Sequence, residues 1–361
     1  MVCRVLSDHA GPADTPDVID QQGNAIRQSR YPLFIALAWC VAVCGLCVVL
    51  VAAIWHDGLG RVSGAWLAMH YLAFMCQTFA YHAGLAMVPV LLASVLAKRK
   101  RLLMIAAIVF TVGAGPEFWT LRPRFQSQPD RPTLKLMSIN LMYGKGDVSM
   151  LLAQIERESP DVIVFQEWTP EGAASLRQSL ARTFAHSVEE PRDDAFGQAV
   201  FSRRAFVEKP RNYPPLGGFH EPQISIAIEH DGTAMRVANV HLLPPVTGSY
   251  FVQQRHGASE LARWQADAAR TDRPDVLAGD FNATHGSGII SAIRATGMRD
   301  AHREAGWWRG STWPRVGTLA YAPGLQLDHV LIGSRVACEE AHVGEDFGSD
   351  HRPVIVRLRW K

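Results

Sequence analysis

The sequence predicts an α/β (α+β) protein in which N-terminal transmembrane helices precede a domain of two stacked β-sheets flanked by helices. Three features lead to that class. Long uncharged apolar stretches dominate residues 31–121. From Leu134 onward, short apolar runs of strand length alternate with helical or turn-rich stretches. Polar and charged residues recur at the ends of those runs, as expected where packed strands present side chains at one end of a sheet.

Residues 1–30 carry Asp8, Asp14, Asp17 and Asp20 ahead of an apolar run too long for a signal core, which argues for a retained anchor and a short cytoplasmic tail. Leu33 to Ile54 holds 22 residues without a charge, enough to cross a bilayer as a helix. Trp66 to Ala97 is also apolar but contains His70, Gln77 and His82. Its first part therefore reads as an interfacial amphipathic helix, with the span proper at about His82 to Leu96. A third stretch, Leu102 to Trp119, closes at Pro116-Glu117, so about three crossings are expected, or two if the middle segment is re-entrant. The basic tetrad Lys98-Arg99-Lys100-Arg101 belongs on the cytoplasmic side, and Arg27 and Arg30 agree. An odd number of crossings then places everything after residue 122 on the extracytoplasmic side of a cell membrane, with Arg122, Arg124 and Arg131 weighing mildly against. Residues 122–133, with Pro123, Pro129 and Pro132, read as an extended linker, and a globular domain is expected over 134–361.

Leu134–Asn140 is an expected strand, Val148–Glu158 an amphipathic helix stopped by Ser159-Pro160, and Asp161–Glu167 a second strand, a β-α-β opening. Further strands are expected at Gln198–Ser202, Gln223–His230, Met235–His241, Asp275–Ala278, Gln326–Ile332 and Val354–Trp360, with a helix over Gln254–Ala269. The sequence contains no internal repeat and no low-complexity tract.

Charge narrows the function. Residues 1–129 hold 10 Lys+Arg against 6 Asp+Glu, and residues 130–361 hold 26 against 28. The C-terminal domain is slightly acidic, which disfavours a duplex-DNA clamp, and no stable nucleic-acid partner is expected. Five of six cysteines precede residue 77, leaving Cys338 alone, without a disulfide partner in its domain and expected to be inert.

The strand ends carry the chemistry. Glu167 ends an apolar strand, where a carboxylate is costly to bury without a cation or partner. A hard divalent ion, Mg²⁺ or Mn²⁺, suits an oxygen cage of Glu167, Asn140 and Asp350 completed by water and substrate oxygens. Asp280 and Asn282 flank Phe281, so on a strand end both should point one way while Phe281 turns to the core. His351 is the candidate base for activating water, since a neutral imidazole accepts a proton near pH 7 and needs an acidic neighbour to fix its tautomer. His241 follows an apolar strand and is a candidate hydrogen-bond donor at the same strand ends. His329 should face the side opposite Asp328. Trp307-Trp308 and Trp313-Pro314 read as packing ahead of a substrate rim, and Arg255, His256, Arg263 and Arg270 as a solvent face.

The ordered set Ser138-Ile139-Asn140, Pro160-Asp161 through Gln166-Glu167, Asn239-Val240-His241, Gly279-Asp280-Phe281-Asn282, Leu327-Asp328-His329 and Ser349-Asp350-His351-Arg352-Pro353 resembles the endonuclease/exonuclease/phosphatase superfamily over about Leu134 to Trp360. The superfamily includes deoxyribonuclease I-like nucleases, inositol-polyphosphate phosphatases and neutral sphingomyelinases. The resemblance, to a membrane-anchored bacterial-type member, implies a four-layered α/β sandwich with two mixed β-sheets. It also implies Asp328 as the partner of His351, Asp280 as a group that positions or protonates at the reacting phosphate, and Asn282 as a donor to a phosphoryl oxygen. The expected activity is metal-dependent hydrolysis of a phosphate ester by His-activated water, acting on a membrane-linked lipid or polyprenyl phosphate. The alternatives are a membrane-tethered nuclease and, since no member of the polar set is missing, less readily an inactive binding module.

Overall fold

The computed structural model describes residues 32–55, 59–60, 63–118, 132–213, 223–267 and 271–361. The expected tail and most of the expected linker lie outside these residues. The apolar N-terminal region forms α1 (Pro32–Ile54), α2 (Gly64–Leu85), α3 (Met87–Leu96), α4 (Lys100–Gly113) and the single turn α5 (Gly115–Phe118). Leu33–Ile54 and the nearly continuous Gly64–Leu96 are long and apolar enough to cross a membrane. The third stretch is shorter than expected: α4 has 14 residues and breaks at Ala114 before α5. Ala38, Ala42 and Val49 of α1 pack with Met87 and Val90 of α3 and Leu102, Ala106 and Val109 of α4 into one apolar core. Leucines, valines and phenylalanines on the outside of these helices remain exposed.

The remainder is a two-sheet sandwich. One sheet joins β1 (Leu134–Asn140), β2 (Val162–Gln166), β3 (His186–Glu190), β4 (Gln198–Ser202), β11 (Val336–Val343) and β12 (Val354–Trp360) in the order β11-β12-β1-β2-β4-β3. The other joins β5 (Arg211–Tyr213), β6 (Gln223–His230), β7 (Thr233–His241), β8 (Val276–Asp280), β9 (Arg299–Asp300) and β10 (Asp328–Ile332) in the order β5-β6-β7-β8-β10-β9. Each sheet has one parallel pair, β1 with β2 and β7 with β8, among antiparallel neighbours, so both are mixed.

Strand alternation builds the layers. Leu134, Leu136, Val162, Val164, Val237, Val276, Ala278, Val330 and Ile332 face the space between the sheets. Met137, Ile139, Ile163 and Phe165 face away, under α6 (Val148–Glu158) and α7 (Pro170–Ala181). Ala238, Val240, Leu277, Phe281 and Leu331 face α8 (Gly248–Ala266) and α9 (Gly288–Arg294) on the opposite side. The result is the four-layered arrangement of helices, sheet, sheet and helices that was expected.

Strands β3, β5, β9 and β11 and helices α7, α9 and α10 (Ala301–Ala305) were not anticipated. Most are short or half-exposed, and they take their structure from neighbours: β9 is two residues paired to β10. Helix α8 starts at the Thr247 cap, whose hydroxyl accepts from the Tyr250 N–H, six residues before the expected start. Arg255 on α8 is buried rather than solvated, and its guanidinium donates to the Gly60 carbonyl at 3.0 Å.

Helix α2 leans on this domain. Phe74 packs on Phe251 of α8 at 5.3 Å between ring centroids, and the Tyr71 hydroxyl donates to the Pro245 carbonyl at 3.0 Å. Gln77 Oε1 accepts from the Gly288 N–H that opens α9, at 2.9 Å.

Candidate active site

The period-two alternation that fills the inter-sheet core continues to the strand ends. Asn140 follows Leu134 and Leu136 on the inward face of β1, Gln166 follows Val162 and Val164 on β2, His241 follows Val237 on β7, and Asp280 follows Val276 and Ala278 on β8. Registry then aligns them: Asn140 pairs with Gln166, and His241, Asp280 and Asp328 form one row across three strands of the second sheet. All five are buried. Parallel strands put Asn140, Gln166, His241 and Asp280 at their C-terminal ends, while antiparallel β10 brings Asp328 at its beginning.

Gly279 is required by this packing. Its φ is +149°, and a Cβ there would lie 1.9 Å from the Val240 carbonyl oxygen across the parallel pair. Glu167 and Asn282, just past their strands, adopt positive φ of 57° and 49° without being glycine. Such strained backbone persists only where surrounding contacts enforce it. The contacts are visible: the Tyr143 N–H donates to Glu167 Oε2 at 3.1 Å, and the Asn282 side-chain amide donates to the Leu242 carbonyl at 2.8 Å.

His351 Nδ1 donates to Asp328 Oδ2 at 2.7 Å, and His351 Nε2 lies 3.8 Å from Asp280 Oδ2. His241 Nε2 lies 3.8 Å from the same oxygen. Asp280, Asp328 and His351 each offer a ligating atom within 4.8 Å of the others. Asn140 Nδ2 donates to Asp280 Oδ2 and to Glu167 Oε1, both at 3.1 Å, so one amide ties the Glu167 and Asp280 carboxylates together. The Asn140 amide oxygen accepts from the Met142 N–H at 3.0 Å. In this orientation Asn140 aligns carboxylates by donation, whereas an oxygen ligand was expected. The chain around Asp350 is fixed from two sides: the Trp313 indole N–H donates to Asp350 Oδ2 at 3.3 Å, and Ser349 Oγ donates to the Asn140 carbonyl at 2.9 Å. Trp313 thus touches the site, although its sequence context read as packing. His329 turns away as expected, bonding Asp300 Oδ2 and the Ala283 carbonyl, each at 2.9 Å.

The electrostatics are those of clustered buried acids. Burial pushes the Asp280 carboxyl up, against the attraction of His351 and with the help of Asp328. Burial also raises Glu167, against the hydrogen bond from Asn140. For His351 burial opposes charge, but the Asp328 and Asp280 carboxylates prevail and raise its pKa. Burial lowers His241 to about 4, so that ring is neutral at pH 7. Asp328 Oδ1 is buried with no hydrogen-bond donor among the described residues. Four acids gathered with two imidazoles, with Asp280 and Glu167 resisting ionisation, form a site whose charge a divalent cation would balance, so the donor set fits such an ion.

Sequence reasoning missed what lies beneath the site. Gln166 Nε2 donates to Asn239 Oδ1 at 2.7 Å, and Asn239 Nδ2 donates to the Phe165 carbonyl at 2.7 Å, a buried polar clamp between the sheets. Both residues stand inside the motifs, but only the sheet stacking shows that they meet. A separate cavity of about 500 Å³ opens at the other end of β7, β8 and β10, beside Arg236, Asp275 and Arg335. Its arginines are engaged, Arg335 with Asp275 at 2.7 Å and Arg236 with Glu208.

The sequence matches the Endonuclease/Exonuclease/phosphatase family over residues 137–351, the interval that contains every strand-end residue above. The chain belongs to this family. It is accordingly a phosphoric ester hydrolase, of a family that uses divalent metal ions, commonly Mg²⁺. Solved structures similar to this family member include an endonuclease/exonuclease/phosphatase family protein from Bacteroides thetaiotaomicron, 15% identical, covering 64% of this chain and 99% of that one with a TM-score of 0.52. The human Nocturnin catalytic domain is 15% identical, covering 66% and 100% with a TM-score of 0.51. D. rerio TDP2 complexed with single strand DNA product is 16% identical, covering 63% and 99% with a TM-score of 0.50. At such identities the likeness shows the shared fold. No curated protein sequence matches the chain.

Proposed function

We propose that this family member is a membrane-anchored, divalent-metal-dependent phosphoesterase in which His351, held by Asp328, takes the proton of an attacking water. The observation that carries the reading is the 2.7 Å bond from His351 Nδ1 to Asp328 Oδ2, which leaves Nε2 directed at the cluster where Asp280, Asn140 and Glu167 meet. Glu167 and Asp350 would hold the ion, with Asn140 aligning Glu167. A bound Mg²⁺ or Mn²⁺ supplies neutralisation of phosphoryl charge and offsets the acidic field that raises His351. His241 and Asn282 donate to phosphoryl oxygens, and Asp280 positions or protonates at the reacting phosphate. Water adds to phosphorus, the phosphorus–oxygen ester bond breaks, and the leaving oxygen departs with a proton.

The two helices long and apolar enough to span support a bilayer as partner and a cell-membrane location. The basic tetrad Lys98–Arg101 in the cytoplasm, together with a third crossing by α4, supports the extracytoplasmic side for the catalytic domain. A phosphate ester linked to a lipid or polyprenyl chain is then the substrate favoured by proximity, and the acidic domain argues against duplex DNA. Purified full-length protein with Mg²⁺ should release p-nitrophenol from bis-p-nitrophenyl phosphate. Chelator should abolish that release, and His351→Ala should slow it by about 10²- to 10⁴-fold. Activity that survives both treatments refutes the mechanism. Nicking of DNA without turnover of lipid phosphates moves the assignment to a tethered nuclease.

A further inference from the structure

Resting on that reading, we infer that the loop Val316–Pro323 seats in the bilayer surface and brings the mouth of the site to a lipid-linked phosphoester held in the same membrane.

The level of the membrane follows from where the catalytic domain meets the helices. His82 Nε2 donates to the Pro323 carbonyl at 2.6 Å, and the Arg309 guanidinium stacks 3.5 Å over the Tyr81 ring. At the end of the third apolar segment, Arg303 pairs with Glu117 at 2.8 Å, and Trp308 packs edge-on against Phe118. Lys98, at the start of the basic tetrad, lies sixteen positions after His82, which at helical rise is about 24 Å. A hydrocarbon core is about 30 Å thick. With the tetrad in cytoplasmic water, the opposite hydrocarbon boundary therefore falls at or beyond the level of His82 and Pro323. Chain beside those residues lies in the interface and not in bulk solvent.

The loop has the composition that such a position calls for. No charge occurs from Val316 to Leu327. Tyr321 is 92% exposed, Leu319 55% and Val316 40%, and on the neighbouring loop Trp307 is 65% exposed. Exposed aromatic and aliphatic side chains without charges are unfavourable in water and suit a headgroup boundary.

The same loop is joined to the chemistry. Just before it, the Arg315 N–H donates to the Asp350 carbonyl at 2.9 Å, and the Trp313 indole bonds the Asp350 carboxylate. Thr312 Oγ1 accepts from the Asp328 N–H at 3.3 Å. One end of the segment thus braces Asp350 and Asp328 while its tip touches the helix at the membrane boundary. The bonds from Tyr71 and Gln77 to the catalytic domain hold this geometry, so the domain does not swing freely on a tether.

The test uses full-length protein in phosphatidylcholine vesicles doped with phosphatidylglycerol and polyprenyl phosphate. Emission added by Tyr321→Trp, taken against Tyr321→Phe, should be quenched when the phosphatidylcholine is brominated on its acyl chains. Unquenched emission overturns the inference, whatever the activity. The double variant Leu319→Ser/Tyr321→Ser should keep its rate on soluble bis-p-nitrophenyl phosphate while release of phosphate or headgroup from the vesicle lipids falls about tenfold. Equal losses on both substrates, or turnover of the soluble diester and of single-stranded DNA with none of vesicle lipid, overturn it as well and leave the phosphoesterase reading standing. Failure of wild type on the soluble diester refutes the phosphoesterase reading itself.

Discussion

His351 and His329 show how burial and partner decide what one residue type does. Both bond an aspartate, but His351 faces the inter-sheet end beside Asp280, while His329, next in the chain to Asp328, faces α9 and joins Asp300. Asp300 also accepts from His285 and from Gln326, each at 3.2 Å. Burial alone would raise the Asp300 carboxyl, but the bonds from His285 and His329 outweigh it and hold the group well below the usual carboxylate range. A depressed folded-state pKa contributes stability that is complete above the unfolded value near 4 and is lost as pH falls below it. Asp300→Asn should therefore cost about 3 kcal/mol at pH 7, and the difference from wild type should shrink as unfolding is measured toward pH 3. A pH-independent difference in denaturant titrations would contradict that account. That Glu167, Asp280, Asp328 and His351 lie together was anticipated from the ordered set of motifs, since a single titratable group at the end of an apolar run reads as readily as a solvated side chain. The donor orientation of Asn140 was not, since it depends on the Met142 N–H occupying the amide oxygen.

At the level of elements, the parallel pairs β1 with β2 and β7 with β8 do the positioning, and Gly279 lets the second pair close. Gly279→Ala places a methyl on the Val240 carbonyl and should cost at least about 3 kcal/mol, seen as a lowered unfolding midpoint. Retention of wild-type stability would mean that the strands do not approach as described. The central strands were readable because they are continuous apolar runs bounded by turn residues. Strands β3, β5 and β9 were not, because edge strands are short and their pairing is set by β4, β6 and β10. The start of α8 was missed for a related reason: Val246-Thr247-Gly248-Ser249 carries no amphipathic signal, and only the Thr247 cap marks it.

For the molecule as a whole, the membrane-like region and the hydrolase domain form a joined body in which α2 extends the layer made by α8 and α9. Leu67, Tyr71, Phe74 and Met75 share the apolar cluster of Phe251, Ala258, Leu261 and Ile290. Phe74→Ala should lower the midpoint of thermal unfolding, at a cost of about 3–5 kcal/mol. It should also raise amide exchange along α8 while leaving turnover of a soluble diester near wild type. An unchanged melt would show the helix and domain to be independent. The second apolar segment is one candidate span over Gly64–Leu96 and not an interfacial start ahead of a separate span, and its polar positions have a tertiary cause: Trp55, Gly288 and Pro323 bond His70, Gln77 and His82.

The sequence by itself determined the two stacked sheets flanked by helices and the strand ends that carry the polar set, because alternation fixes which face each side chain takes, and the four layers were implied by the family that the ordered set resembles. Tertiary structure alone decided which carboxylates share a donor, how the sheets are clamped through Gln166 and Asn239, and where the helices meet the catalytic domain. Those contacts join residues up to 241 positions apart, and local sequence does not encode distances across a stacked pair of sheets.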